Sequence, residues 1–66
     1  MNFGHNFKRI CLDRGTTPTA VLHKLGLSTS KGTMWSNGTI PKVETITRLC
    51  DELGCKPYEF FVDDPS

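Results

Sequence analysis

The stretch from Pro18 to Gly38, PTAVLHKLGLSTSKGTMWSNG, constrains the fold most, because it reads as two short helices joined by a tight turn. Val21, Leu22 and Leu25 stand at i, i+1 and i+4 and form one apolar stripe. Pro18 suits a first helical position, whose N–H has no intrahelical partner, and Thr17 is placed to cap the next free donors. Gly26 supplies the left-handed backbone that ends a helix, Leu27 folds back beneath it, and Ser28 is a good N-cap for the next helix. That second helix, over residues 29–36, is polar except at Met34 and Trp35, so Trp35 is its expected anchor in the core.

The flanking segments supply further helices. Phe3, Phe7, Ile10, Cys11 and Arg14 fall on one face of a helix over residues 3–14, closed by Gly15. Pro41 opens a helix over residues 42–53, where Glu44 complements the N-terminal dipole and Val43, Ile46, Leu49, Cys50 and Leu53 line one face before Gly54. Pro57 starts a short helical turn over residues 57–61, and its Tyr58, Phe60, Phe61 and Val62 are too apolar for a plain tail. The expected core anchors are Leu22, Leu25, Leu27, Trp35 and Ile46. The pattern predicts an all-α chain with five helices in one domain, residues 1–62, followed by a polar stub at 63–66.

Sixty-six residues support one core at most, and a chain this short depends on good helix packing or on association. There is no apolar run of membrane-spanning length and no basic segment leading into an apolar stretch, so the expected location is the cytoplasm. Cys11, Cys50 and Cys55 have neither a CxxC nor a zinc-finger spacing with His5 and His23. They are expected to be reduced, Cys11 and Cys50 as small apolar fillers, in a chain without metal or cofactor. His5 and His23 lack a marked nucleophile or a paired carboxylate, and Asp13, Asp51 and Glu52 belong to solvated helix surfaces, which argues against an enzyme.

On the helix pair TPTAVLHKLGL and STSKGTMWSNG and the proline-initiated helix PKVETITRLCDELG, the chain resembles the Cro/phage-repressor type of helix-turn-helix domain, the XRE family, over residues 3–61. The resemblance implies a compact five-helix lambda-repressor-like domain that binds double-stranded operator DNA, usually as a homodimer, in transcription regulation, with repression the expected mode. Three departures stand out. Relatives commonly carry alanine where this chain has Leu22 and a branched apolar residue where it has Gly32, so large and small are exchanged. If Leu22 fills the space Gly32 leaves open, total volume is conserved and the two residues must touch. The arginine and glutamate that many relatives pair fall at Cys11 and Ser36, and losing both partners together leaves no stranded charge.

In this family the recognition helix meets the bases with its first turn and outward face, which here offers Thr29, Ser30, Lys31, Thr33 and Met34. Lysine can donate to guanine or meet a phosphate, hydroxyls can donate or accept, and threonine methyls or Met34 can touch a thymine methyl. Without arginine, asparagine or glutamine there, direct readout is expected to be modest and DNA shape or water to carry more of it. The family's phosphate-contacting regions correspond to Thr17 and Thr19 at the start of the second helix, and to Asn37, Thr39 and Lys42 after the recognition helix. Asn37 serves equally as a turn former with Gly38 and Met34 equally as a packing residue, while for Ser30 and Thr33 base contact is preferred over a hydroxyl that only faces water.

One short helix reads too few base pairs for genomic selectivity, so a two-fold dimer is expected, through Tyr58, Phe61 and Val62, with Phe3. No effector-binding segment is expected. The net charge is only +1, with Lys8, Arg9, Lys24, Lys31 and Lys42 early and Asp51, Glu52, Glu59, Asp63 and Asp64 late. This polarity fits orientation on DNA and fits equally an ordinary solvated surface. The low charge keeps a second reading open, a helix-turn-helix module that binds another protein, antitoxin-like, with little DNA specificity.

Overall fold

Asn2 starts the first helix: its side-chain carbonyl accepts the His5 N–H at 2.9 Å, and α1 runs Phe3–Asp13. The computed structural model describes residues 2–62, so the stub at 63–66 lies outside the described residues. Three more α-helices follow, α2 Pro18–Lys24, α3 Ser30–Ser36 and α4 Val43–Leu53, and then a 3-10 turn over Pro57–Phe60. The described residues thus form four α-helices and no strand, and the expected fifth helix is the 3-10 turn. Four residues between Pro57 and Phe60 are too few for sustained i to i+4 bonding, and the tighter i to i+3 pattern is the usual outcome.

The α2–α3 connection follows the sequence closely. Thr17 Oγ1 accepts the Ala20 N–H at 3.2 Å with Pro18 in the first turn. At the far end Gly26 takes φ +73°, its N–H reaches the His23 carbonyl at 3.1 Å, and Leu27 N–H reaches the Leu22 carbonyl at 2.8 Å. These two bonds satisfy carbonyls that the helix end would otherwise strand. The N-cap of α3 is Thr29 and not Ser28 as expected; Ser28 lies one residue further out, where its hydroxyl accepts the Ser30 N–H at 3.3 Å. Gly38, at φ +107°, closes α3 the same way, with its N–H on the Trp35 carbonyl at 3.2 Å and Thr39 N–H on Met34 at 3.1 Å.

The core joins Phe3, Phe7, Ile10 and Cys11 of α1, Val21 and Leu22 of α2, Trp35 of α3, Ile46, Leu49, Cys50 and Leu53 of α4, and Phe60. Trp35 takes the edges of Phe3 and Phe7 at centroid distances of 5.3 Å each, and Phe3 stacks on Phe60 at 4.8 Å. Such pairs add about 0.5–1.5 kcal/mol each beyond buried area, so α3 is docked chiefly through one indole. Leu25 and Leu27 are only half-buried and pack against the rim of this cluster.

Two further expectations need correction. Phe3 is 2% exposed, so it belongs to the core and not to an association surface. The ring lies on the apolar face that its spacing with Phe7 and Ile10 predicts, and Trp35 and Phe60 cover it there. Val43, the first residue of α4, is 78% exposed and does not join the buried face of Ile46, Leu49, Cys50 and Leu53.

Polar ties hold the helices in place. The buried Asn6 Nδ2 donates to the Phe60 carbonyl at 2.8 Å. Arg14 Nε donates to the Leu53 carbonyl at 3.1 Å, and its guanidinium lies 3.9 Å from Glu59. Arg48 donates to the Leu25 carbonyl at 2.7 Å, and Lys24 pairs with Glu52 at 2.9 Å, both linking α2 to α4.

Candidate nucleic-acid interface

At about 100° per residue, Ser30, Thr33, Met34 and Asn37 fall along one side of α3. All four are exposed, and none is charged. Asn37 follows the last helical residue, with its N–H on the Thr33 and Met34 carbonyls at 3.0 and 3.1 Å. It is therefore a helix terminator in backbone terms and extends the outward ridge by an amide.

A groove lies on each side of this ridge. The first, of about 310 Å³, runs between α1, α2 and α3, with Phe7 and Leu22 in its apolar lining and Lys8, Thr19, Thr29 and Thr33 among its polar residues. The second, of about 340 Å³, lies between α3 and the loop to α4, and brings Lys31 and Met34 together with Thr39 and Lys42. The expected contact residues thus divide into Thr19, Thr29 and Thr33 on one flank and Lys31, Met34, Thr39 and Lys42 on the other. Thr17 is exposed at the start of α2, where its oxygen accepts from Ala20 and its own proton remains to donate.

Lys31 differs from the other expected base-contact residues. It is half-buried and shares its groove with Lys42, whereas Thr29, Ser30, Thr33 and Met34 are exposed. Met34 serves both expected roles, being 42% exposed while lining the groove beside Trp35.

The first groove exists because of two glycines. A Cβ on Gly32 would meet Leu22 Cδ1 at 3.7 Å, an ordinary contact, so the larger residue on α2 does pack toward the space the smaller one leaves on α3. Gly4 permits a closer approach: a Cβ there would sit 2.6 Å from Ser36 Oγ and 2.7 Å from its Cα. At Ser36, one of the two positions of the missing arginine–glutamate pair, α1 comes close through Gly4, with Asn2 Nδ2 donating to the Ser36 carbonyl at 2.7 Å, while Cys11, the other position, is buried in the core. Gly4, Asn6, Lys8 and Arg48 were not assigned from sequence; their roles depend on which helix faces them, although Asn6 does share the apolar face of α1.

Electrostatically the cations sort themselves. Lys24, Arg14 and Arg48 are engaged by Glu52, by Glu59 and the Leu53 carbonyl, and by the Leu25 carbonyl. Lys8, Lys31 and Lys42, which line the two grooves, make no ion pair among the described residues. Burial pushes the Cys11 thiol up to about 11 and Cys55 up to about 12, so both stay protonated at neutral pH. Among the described residues no three His, Cys, Asp or Glu side chains cluster as metal ligands, and no helix is long and apolar enough to cross a membrane.

Two helices joined by a glycine turn, the second presenting an exposed ridge and the first pinned behind it, define a helix-turn-helix protein. Residues 6–66 match the family of Cro/C1-type HTH DNA-binding domains, and the chain belongs to that family. No curated protein and no solved structure matches it.

Proposed function

We propose that this chain is a sequence-specific double-stranded DNA-binding regulator of transcription, acting as a cytoplasmic repressor that occupies its operator, with α3 in the major groove. The observation that carries this reading is the neutral ridge of α3 set between two grooves whose lysines make no ion pair among the described residues, on a chain of a DNA-binding family. Ser30, Thr33 and Met34 meet base edges, helped by Thr29 at the start of α3 and by the Asn37 amide, whose donor and acceptor match adenine. Thr17 and Thr19 on one side, and Thr39 and Lys42 on the other, hold phosphates. Placement of Lys31 beside Lys42 favours a phosphate over a guanine edge for its ammonium.

A homodimer completes the reading, since two recognition helices about 34 Å apart read two half-sites of a palindrome. Tyr58, Phe61 and Val62, exposed by 64%, 38% and 47%, are the surface proposed for it, without Phe3. The domain, taken as residues 1–62, needs no small-molecule effector for this activity. The antitoxin-like protein-binding module is favoured by one observation only, the net charge of +1.

Selection from a random duplex pool, with sequencing, tests the reading. The wild type is expected to enrich a two-fold motif, and a Ser30→Ala, Thr33→Ala double variant to enrich a degenerate or altered one. Enrichment by neither protein, together with apolar, salt-insensitive capture of a protein partner, would transfer the assignment to the interaction module.

A further inference from the structure

We propose that Lys8 is a phosphate-contacting residue of the DNA interface, placed on the α1 side so that it and the Lys31–Lys42 pair hold the two backbone strands on opposite flanks of α3. The inference rests on the reading of α3 as the groove-entering helix and adds a residue from a helix outside the two-helix motif. Three observations lead to it.

Lys8 is exposed and lines the first groove in company with Thr19, Thr29 and Thr33, three residues already placed at the interface. Its stem has apolar surface to lie along, since Phe7 and Leu22 line the same groove and Gly32 contributes no side chain to fill it. A lysine extended over such surface keeps its ammonium at the water-facing rim.

The disposition of charge is the second observation. Lys24 is held by Glu52 at 2.9 Å, and Arg14 and Arg48 by backbone carbonyls at 3.1 and 2.7 Å, which fixes them to the α2–α4 and α1–α4 junctions. The neighbouring Arg9 lines a different hollow, with His5, Leu12 and Asp13, and its Nε is buried there; Lys8 borders both that hollow and the first groove. Of the cations on α1, Lys8 alone shares a groove with α3.

The third is dimensional. An α-helix with its side chains is about 10–12 Å across, and the major groove of B-DNA is about 12 Å wide, so a helix seated there nearly fills it. Groups on the outward ridge then face bases, and groups displaced to either flank face the sugar–phosphate strands. Lysine, a point charge on a flexible stem, suits a phosphate better than the fixed two-pronged geometry of a base edge.

The test compares Lys8→Gln, Lys8→Arg and Lys24→Gln in equilibrium binding to the selected duplex and to a scrambled one over a range of salt. Each phosphate neutralised contributes about 0.9 to the slope of log affinity against log salt. Lys8→Gln is therefore expected to flatten the slope by about 0.9 and to weaken both duplexes by roughly eightfold at about 0.1 M salt. Lys8→Arg is expected to keep the wild-type slope, and Lys24→Gln, whose charge is spent on Glu52, to do the same. An unchanged slope in Lys8→Gln with a binding wild type overturns the role of Lys8 alone, as does a loss confined to the selected duplex. A wild type that binds neither duplex overturns the DNA-binding reading and this inference together.

Discussion

Gly4 and Gly32 have the same side chain and opposite reasons for it. Gly32 sits within α3 at an ordinary helical φ, and a methyl there would reach Leu22 Cδ1 at 3.7 Å without displacing anything. Gly32→Ala is expected to raise stability by about 0.5–1 kcal/mol, the helix-propensity difference, while a branched residue would compete with Leu22 for space. Gly4 lies where α1 nearly touches Ser36 backbone, so a methyl must push two helices apart. Gly4→Ala is expected to cost about 1–3 kcal/mol, as overpacking does. Chemical denaturation of the two variants beside wild type checks both signs; a stabilised Gly4→Ala would contradict the close approach.

At the scale of elements, α3 is the dependent one. Its seven residues are too short to hold themselves helical in water, and they include a glycine, so its order comes from Trp35 between Phe3 and Phe7 and from its two ends. Asn2 couples the C-terminal end to α1, since one amide both accepts from His5 N–H and donates to the Ser36 carbonyl. Asn2→Ala removes a cap and a tertiary hydrogen bond at once. The expected loss is about 1–2 kcal/mol, at the upper part of the range for a cap alone, with amide exchange in α3 rising more than in α4. Equal acceleration in both helices would show that Asn2 acts only on global stability.

For the whole molecule, a single core ties folding to the protonation of its thiols. Native Cys11 holds its proton up to about pH 11, whereas an unfolded thiol loses it near its ordinary value of 9.0. The unfolded state thus binds fewer protons in this window, so this contribution to stability is complete below about pH 9 and is lost as pH rises toward 11. Wild-type stability is expected to fall more steeply across that interval than that of Cys11→Ala, measured by denaturation at several pH values. Parallel curves would mean that the thiol titrates without reference to folding.

The limits of the four α-helices were legible to within a residue or two, because capping residues, prolines and terminal glycines act over a few positions of chain. Thr17, Gly26, Ser28 and Gly38 all do locally what their chemistry dictates. That Leu22 faces Gly32 was legible as well, through the family resemblance, but the volume exchange is incomplete, since a Cβ at Gly32 would still find ordinary contact with Leu22 at 3.7 Å. The sequence by itself therefore determined the helices, the turn between α2 and α3, Trp35 as anchor and the family.

What each exposed or buried face meets follows from the packing of the helices together. Phe3 is covered by Trp35 and Phe60, Val43 is left exposed at the first position of α4, and Gly4 is needed where α1 approaches Ser36. Lys31 moved from the ridge to a groove with Lys42, and Lys8 joined Thr19 and Thr33 across three helices. The physical reason is range: hydrogen bonds of caps and turns span a few residues and are written in order along the chain. Which charges stand beside which groove depends on how several helices pack at once, and that is settled by the core they share.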